Sequence, residues 1–333
     1  MKIIIAGGSG FLGYSAALEL LKQGQEIIAI AHPSELDMTN SLDQRIQFIH
    51  KDLSLLSIGD LDLLFRELDG DVFVYALGPD DRTTVSTDPW VFFEEALVDR
   101  SKRILSSAIR SGIQRVVVLG SYFAYFDRQF DGILSKHHPY ISARVIQEET
   151  ILSMIRSAQI SGCIVELPYI FGTLPHKKPL WKEHFYDQLK VGRRLYFPKG
   201  GSTATITSEN VAKVIAKLCL NEQVPDRIAP CDENIEFSDM IEWMKEAMND
   251  DAKIVWMNPD VASFFGGILQ FFHKLHHRQS GLHYAHLMKD IQSKKLSIEE
   301  GAYQSLLGLD TDKPNMKMWI IQTMIDAKEK ANS

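Results

Sequence analysis

Near the start of the chain, Gly7-Gly8-Ser9-Gly10-Phe11-Leu12-Gly13 satisfies G-x-x-G-x-x-G and G-x-G-x-x-G at once. Glycine at that spacing lets the backbone take unusual φ and ψ, approach a pyrophosphate closely and bring a helix tight against a strand. The N–H groups at the helix start then receive the phosphate charge. The alternative is a glycine-rich turn that holds no ligand, but an apolar run before it and a helical pattern after it favour a dinucleotide site. The other phosphate cradle, G-x-x-x-x-G-K-[ST], is absent because no Lys follows Gly13. The choice of dinucleotide turns on the end of the second expected strand, where an acid would bind the ribose 2′-hydroxyl of NAD. Ala31 stands there, followed by His32, a residue able to donate to a 2′-phosphate; the reading leans to NADP over NAD, with a solvated His32 as the alternative.

The elements that must position this turn follow from periodicity. Strands are expected at 2–6, 26–31, 47–50, 71–76, 114–120 and 162–167, with helices at 11–22 and near 57–68, 90–111 and 140–158. Residues 26–31 (EIIAIA) are apolar on both faces, as a strand covered by helices on both sides must be. The alternation predicts an α/β fold, a doubly wound parallel sheet of Rossmann type. Beyond it, Pro168, Pro175, Pro179 and Pro198 break the regularity, and helices are expected at 208–220, 238–249 and 314–330. The chain thus divides into a nucleotide-binding domain, 1–168, and a smaller, mainly helical substrate-binding region, 169–333, whose return to the first sheet is left open.

Composition bounds the partners. Of 333 residues, 45% are hydrophobic and 24% charged, a globular rather than disordered balance. Lys and Arg number 36 against 43 Asp and Glu, a net charge of −7 that speaks against nucleic acid. Cys163, Cys219 and Cys231 are too widely spaced for a disulfide framework or a zinc site and point to a reducing compartment. The apolar run after Met1-Lys2 is too short for a secretory core, and the most lipid-like stretch, 261–272, is broken by Gly266, Gly267 and Gln270. A cytoplasmic chain without a transmembrane segment is expected.

Further motifs follow in order over the first 215 or so residues: Asp52-Leu53, Ala76-Leu77-Gly78, Pro168-Tyr169-Ile170-Phe171-Gly172, and ITSENVA at 206–212. With MKIIIAGGSGFLG, they resemble the extended short-chain dehydrogenase/reductase superfamily, of the NAD-dependent epimerase/dehydratase type that includes dihydroflavonol-reductase-like and hydroxysteroid-dehydrogenase-like enzymes. The resemblance implies that Asp52 and Leu53 border the adenine, that Ala76, Leu77 and Gly78 line the cofactor, and that Pro168 opens the segment beside the nicotinamide. It also implies a Ser or Thr after the fifth strand, then a Tyr with a Lys four residues on. Ser121 and Tyr140 match, while Arg144 stands in place of Lys. The chemistry asks for a phenol, with an unperturbed pKa of about 10, to move a proton at a carbinol or carbonyl oxygen, its anion stabilised by the cation at i+4. Arg144 supplies the charge, but its planar fork is not a point-charge ammonium. A second departure is that residues 90–109 contain no Asn, which many relatives place on that helix.

The implied function is an NAD(P)-dependent oxidoreductase transferring hydride at a secondary alcohol or ketone, with Tyr140 as acid/base, Ser121 orienting the substrate oxygen, and Arg144 holding the ribose and tuning Tyr140. Two alternatives stay open: a nucleotide-sugar epimerase/dehydratase, and a non-catalytic NAD(P)-sensing binding protein. The substrate is expected to be a small molecule, and the resemblance implies a homodimer through the two helices flanking the site. Tyr122, Phe123, Tyr125 and Phe126 are expected in a loop bordering the substrate, with Trp181, His184, Phe185 and Tyr186 adding to an aromatic wall, or else as core. His273, His276, His277, His283 and His286 read as a solvated or partner-facing face rather than a metal site. Phe264, Phe265, Leu269, Phe271 and Phe272 read as core or pocket wall, with surface association as the second reading.

Overall fold

A computed structural model describes residues 1–310 and 312–330; Thr311 and the last three residues of the expected 169–333 region lie outside the described residues. The main sheet has seven strands: β1 (Lys2–Ala6), β2 (Glu26–Ala31), β3 (Gln47–His50), β4 (Val72–Tyr75), β5 (Arg115–Leu119), β6 (Ser161–Val165) and β7 (Arg227–Ile228). They lie in the order β7-β6-β5-β4-β1-β2-β3, every pair parallel. This is the doubly wound order, with its reversal beside β1. β1 is central because it is apolar on both faces: Ile3 and Ile5 face one helical layer, Ile4 and Ala6 the other, and all four are fully buried. One layer is α1 (Phe11–Lys22) with helix Ser208–Leu220; the other holds Ile58–Leu68, Arg100–Arg110 and the long helix Pro139–Ala158.

The expected strands and helices are present with ends shifted by a residue or two. The expected helix 90–111 is three pieces: Pro89–Phe93, a π-wound stretch Glu94–Asp99, and Arg100–Arg110. Two expectations are corrected. Residues 122–129 form a helix rather than a loop, capped by Ser121, whose hydroxyl accepts from Phe123 N at 3.4 Å. The spacing of Tyr122, Phe123 and Phe126 turns all three into the interior, so an apparent aromatic loop is an amphipathic helix. Phe264, Phe265, Leu269, Phe271 and Phe272 are not core: they lie on helix Pro259–Leu275 and face outward, between 41% and 67% exposed.

Beyond β6 the chain builds two further small sheets, and Gln279–Ser280 pairs back with Thr84–Val85. Arg194–Pro198 pairs in parallel with Lys253–Met257, while Ser202–Thr207 pairs with Glu233–Glu236 and Tyr169–Phe171. The latter sheet extends from the C-terminal end of the main one and brings Tyr169 and Thr203 toward the end of β5. The three cysteines are buried and free. No helix among the described residues is long and apolar enough to cross a membrane.

Candidate active site

The glycine turn joins β1 to α1 at the sheet's topological switch, where an open α/β sheet binds its ligands. Gly7 has φ +82°, and a Cβ there would stand 2.6 Å from the Ala76 carbonyl oxygen. A Cβ at Gly13 would stand 2.2 Å from the Gly7 carbonyl oxygen. The turn is therefore closed upon itself and upon the end of β4, and only hydrogen fits at either position. Gly10 caps α1 with no side-chain hydrogen bond, so the N–H groups of Phe11 and Leu12 face outward as an anion cradle. These residues fit a dinucleotide pyrophosphate. Gly13→Ala is expected to weaken cofactor binding at least about tenfold and to reduce the cofactor-induced rise in melting temperature accordingly, read by thermal shift with NADH.

At the ribose end, His32 Nε2 lies 3.5 Å from Asp52 Oδ2, and Asp52 Oδ1 accepts from Ser54 N at 2.9 Å and Ser54 Oγ at 2.6 Å. The hydrogen bond from Ser54 is the largest cause holding the Asp52 carboxyl below its ordinary value. Leu53 is buried, and its carbonyl accepts from Arg103 at 3.2 Å. The first acid after β2 is Glu35, which sequence reasoning passed over by stopping at His32. Its carboxylate accepts from the Ser9 hydroxyl of the glycine turn and from Lys177 Nζ at 2.7 Å. Partial burial would raise it, yet these hydrogen bonds and the Lys177 charge hold it below its usual value, and it stays ionised. His176 Nε2 meets the Ser9 carbonyl at 3.3 Å, so the chain from Leu174 to Lys177 crosses the turn.

At the other end the structure brings Ser121, Tyr140 and Arg144 together. Tyr140 and Arg144 lie one turn apart on Pro139–Ala158, and Arg144 Nε donates to the Tyr140 hydroxyl at 3.1 Å. Arg144 Nη1 donates to the Leu119 carbonyl at 3.2 Å and to Gln147 Oε1 at 2.9 Å, while Gln147 Nε2 donates to the Leu97 carbonyl at 2.8 Å. Leu97 lies in the π-wound stretch of the helix that lacks the family's Asn. The wider π turn leaves a carbonyl for the Gln147 amide. Gln147 is a further residue the sequence reading missed; the i+3 spacing from Arg144 was the available signal.

Burial pushes the Tyr140 phenol above its ordinary value; the Arg144 charge opposes this, Asp81 adds to it, and hydrogen bonds from Arg144 and Ser121 oppose it. The phenol is therefore protonated at neutral pH, a proton donor in waiting. Its ring sits between Phe93, 5.6 Å away, and Phe123, 6.5 Å away. Gly78 opens the loop that carries Asp80, Asp81 and Arg82, and Arg82 lies 5.8 Å over the Trp181 ring, held by Asp80 at 2.6 Å. Tyr169 packs between Tyr122 and Trp181. Of the expected wall, then, Trp181 borders this space, with Tyr169 of the 168–172 segment beside it; Tyr122, Phe123, Phe126, Phe185 and Tyr186 are interior, Tyr125 is half-buried and His184 is exposed. Pro168 is buried where the chain leaves the sheet. Among the described residues, no group of three or more His, Cys, Asp or Glu is placed to hold a metal ion.

The sequence model of the NAD dependent epimerase/dehydratase family matches residues 3–195. The chain belongs to that family. Its members are NAD-dependent enzymes of the extended short-chain dehydrogenase/reductase type. No curated protein matches the chain in sequence. Solved structures resemble it over its whole length. UDP-glucose 4-epimerase from Thermotoga maritima, with UDP-glucose, is 11% identical with TM-score 0.71 and complete coverage of both chains. UDP-glucuronic acid 4-epimerase from Bacillus cereus, in complex with UDP-glucuronic acid and NAD, is 15% identical with TM-score 0.71, covering 99% of this chain and 100% of its own. The dTDP-glucose 4,6-dehydratase of Streptomyces venezuelae, with NAD bound, is 16% identical with TM-score 0.68, covering 100% of this chain and 98% of its own. At these identities the likeness is one of fold, and it is the fold of this family.

Proposed function

We propose that the chain uses NAD to carry out redox chemistry at a secondary carbinol of a nucleotide-linked sugar, returning the cofactor to its starting state within each turnover as an epimerase or dehydratase does. The observation that carries this reading is the Tyr140 phenol, bonded to Arg144 at 3.1 Å, with Ser121 capping the helix after β5 at the same end of the sheet that bears the glycine turn. The glycine turn would hold the dinucleotide, which when bound would supply a reversible hydride acceptor for the carbinol carbon. The residues of the chain do the rest. As the phenolate, which Arg144 stabilises, Tyr140 takes the carbinol proton while the carbonyl forms; as the phenol it returns that proton to the oxygen as hydride comes back, and Ser121 orients the oxygen. Arg82 beside the Trp181 face suits a diphosphate next to a ring, as the nucleotide portion of such a substrate presents. Residues 169–333 are proposed to supply that side of the pocket.

NAD rather than NADP is proposed on the strength of Glu35. An ionised carboxylate beside Ser9 accepts from a ribose 2′-hydroxyl and repels a 2′-phosphate. The NAD bound to the two relatives above supports the same choice. Glu35→Gln is expected to narrow the preference for NADH over NADPH by about tenfold, one charge interaction's worth, in paired fluorescence titrations. A wild-type protein that prefers NADPH would overturn the assignment.

The decisive experiment follows cofactor absorbance during turnover of a panel of nucleotide sugars and simple ketones. Sugar conversion without net change in NADH supports the proposal. Stoichiometric NADH consumption would make the chain a net oxidoreductase, and tight binding with no turnover would make it an NAD-sensing protein.

A further inference from the structure

Helix Pro259–Leu275 is built inside out. Its inward positions are Ala262 and Gly266, both buried, and a Cβ at 266 would stand 2.8 Å from the Tyr284 carbonyl oxygen, so the helix rests on its small residues. Its outward stripe is apolar: Phe264, Phe265, Phe271, Phe272 and Leu275 are 67%, 55%, 65%, 51% and 62% exposed. A surface helix ordinarily points that stripe at the core.

The charge around it is one-sided. Between Asp260 and Asp290 the sequence holds no carboxylate, but it holds Lys274, Arg278 and Lys289 and five histidines, in a chain whose net charge is −7. Lys289 pairs with Asp260 at 2.9 Å. Lys274 and Arg278, at the far end of the aromatic stripe, are exposed and make no ion pair among the described residues. Phenylalanines flanked by unneutralised cations match the chemistry of an anionic interface. A second copy of this stretch offers the same cations, and its one helical carboxylate, Asp260, already pairs with Lys289. At 17 residues the helix is about 25 Å long, shorter than the ~30 Å hydrocarbon core, which suits lying in the interface rather than crossing it.

We propose that helix 259–275 is a membrane-surface anchor, its phenylalanines set at the acyl boundary of an anionic bilayer and Lys274 and Arg278 on the lipid phosphates. This stands independently of the catalytic assignment.

The test is sedimentation of the full chain with vesicles of phosphatidylcholine alone or with a third of phosphatidylserine. Binding is expected to be at least about tenfold stronger on the anionic vesicles and to fall with added salt. Phe264→Ser/Phe271→Ser and Lys274→Glu/Arg278→Glu are each expected to lose about tenfold or more in binding, with circular dichroism and the NADH thermal shift unchanged. All four side chains are exposed, so neither variant disturbs the core. Equal binding to both vesicles, binding to neither, or binding that survives both variants would overturn the proposal. A solution dimer that becomes monomeric in the phenylalanine variant would assign the face to a second copy instead.

Discussion

Tyr140→Phe is expected to lower turnover by about 10²–10⁴-fold while the affinity for NADH changes less than about twofold. The change removes one oxygen and leaves the ring between Phe93 and Phe123. Arg144 keeps the Leu119 carbonyl and Gln147 as partners, so the stability cost is about 1–2 kcal/mol. The sign of the pH dependence follows from the raised phenol. The step that withdraws a carbinol proton needs the phenolate, so its rate rises with pH toward a plateau displaced above the ordinary tyrosine value. Arg144→Met, which removes the charge opposing that rise, should move the plateau further up and lose most activity at neutral pH, with partial recovery in alkali. A merely structural role for Arg144 would lower the rate equally at all pH. Steady-state kinetics across pH on the wild type and both variants reads all of this, and turnover unchanged in Tyr140→Phe would remove Tyr140 from the mechanism.

Arg128→Met is expected to cost about 3–5 kcal/mol of stability in mildly alkaline solution, the usual consequence of leaving buried charge uncompensated. Arg128 leaves the end of helix Tyr122–Gln129 to bind two carboxylates, Glu148 at 2.9 Å and Glu166. Both are buried, with side chains 1% and 2% exposed, and Arg227 reaches Glu148 at 3.3 Å. Glu148 Oε1 has no hydrogen-bond partner among the described residues. Burial first, and the neighbouring Glu166 second, push Glu148 up to about 8; burial raises Glu166 as well. An acid whose folded value lies above its unfolded one holds extra protons when folded. Its favourable contribution is complete below the unfolded value of about 4.5 and is lost as pH rises through about 8. Wild-type stability should therefore fall on the alkaline side, and the Arg128→Met deficit should be larger near pH 9 than near pH 6, as urea denaturation at about those two values would show. A deficit independent of pH would mean that the Arg128 stem, not its charge, holds the site.

Both effects bear on how much the sequence disclosed. The α/β order was legible because β1 and β2 are apolar on both faces and the helix between them is short and regular. The glycine turn was legible because steric exclusion at Gly7 and Gly13 leaves one residue type. Tyr140 and Arg144 were legible through their i, i+4 spacing. Contacts that cross the chain were not: nothing in HPSE at 32–35 announces that Glu35 reaches Ser9 and Lys177, and Glu148 reads as one more polar position until Glu166 and Arg128 arrive from elsewhere. The helix at 122–129 was hidden because a run of aromatics carries little periodicity of its own. For 259–275 the pattern was visible, but the rule that apolar faces turn inward gave it the wrong direction.

Lys330, just past helix Met316–Glu329, donates to the Leu174 carbonyl at 2.5 Å and the Lys177 carbonyl at 3.2 Å. It thereby fastens the segment whose His176 and Lys177 lie across Ser9 and Glu35. With the nucleotide on the glycine turn, as proposed, its release is expected to be coupled to the opening of this clasp. Its residence time is then set by the docking of the final helix, while substrate exchanges at the far end of the groove on its own clock. An enzyme that returns its cofactor unchanged has every use for that inequality of lifetimes, and one that must discharge a spent cofactor after each cycle has none.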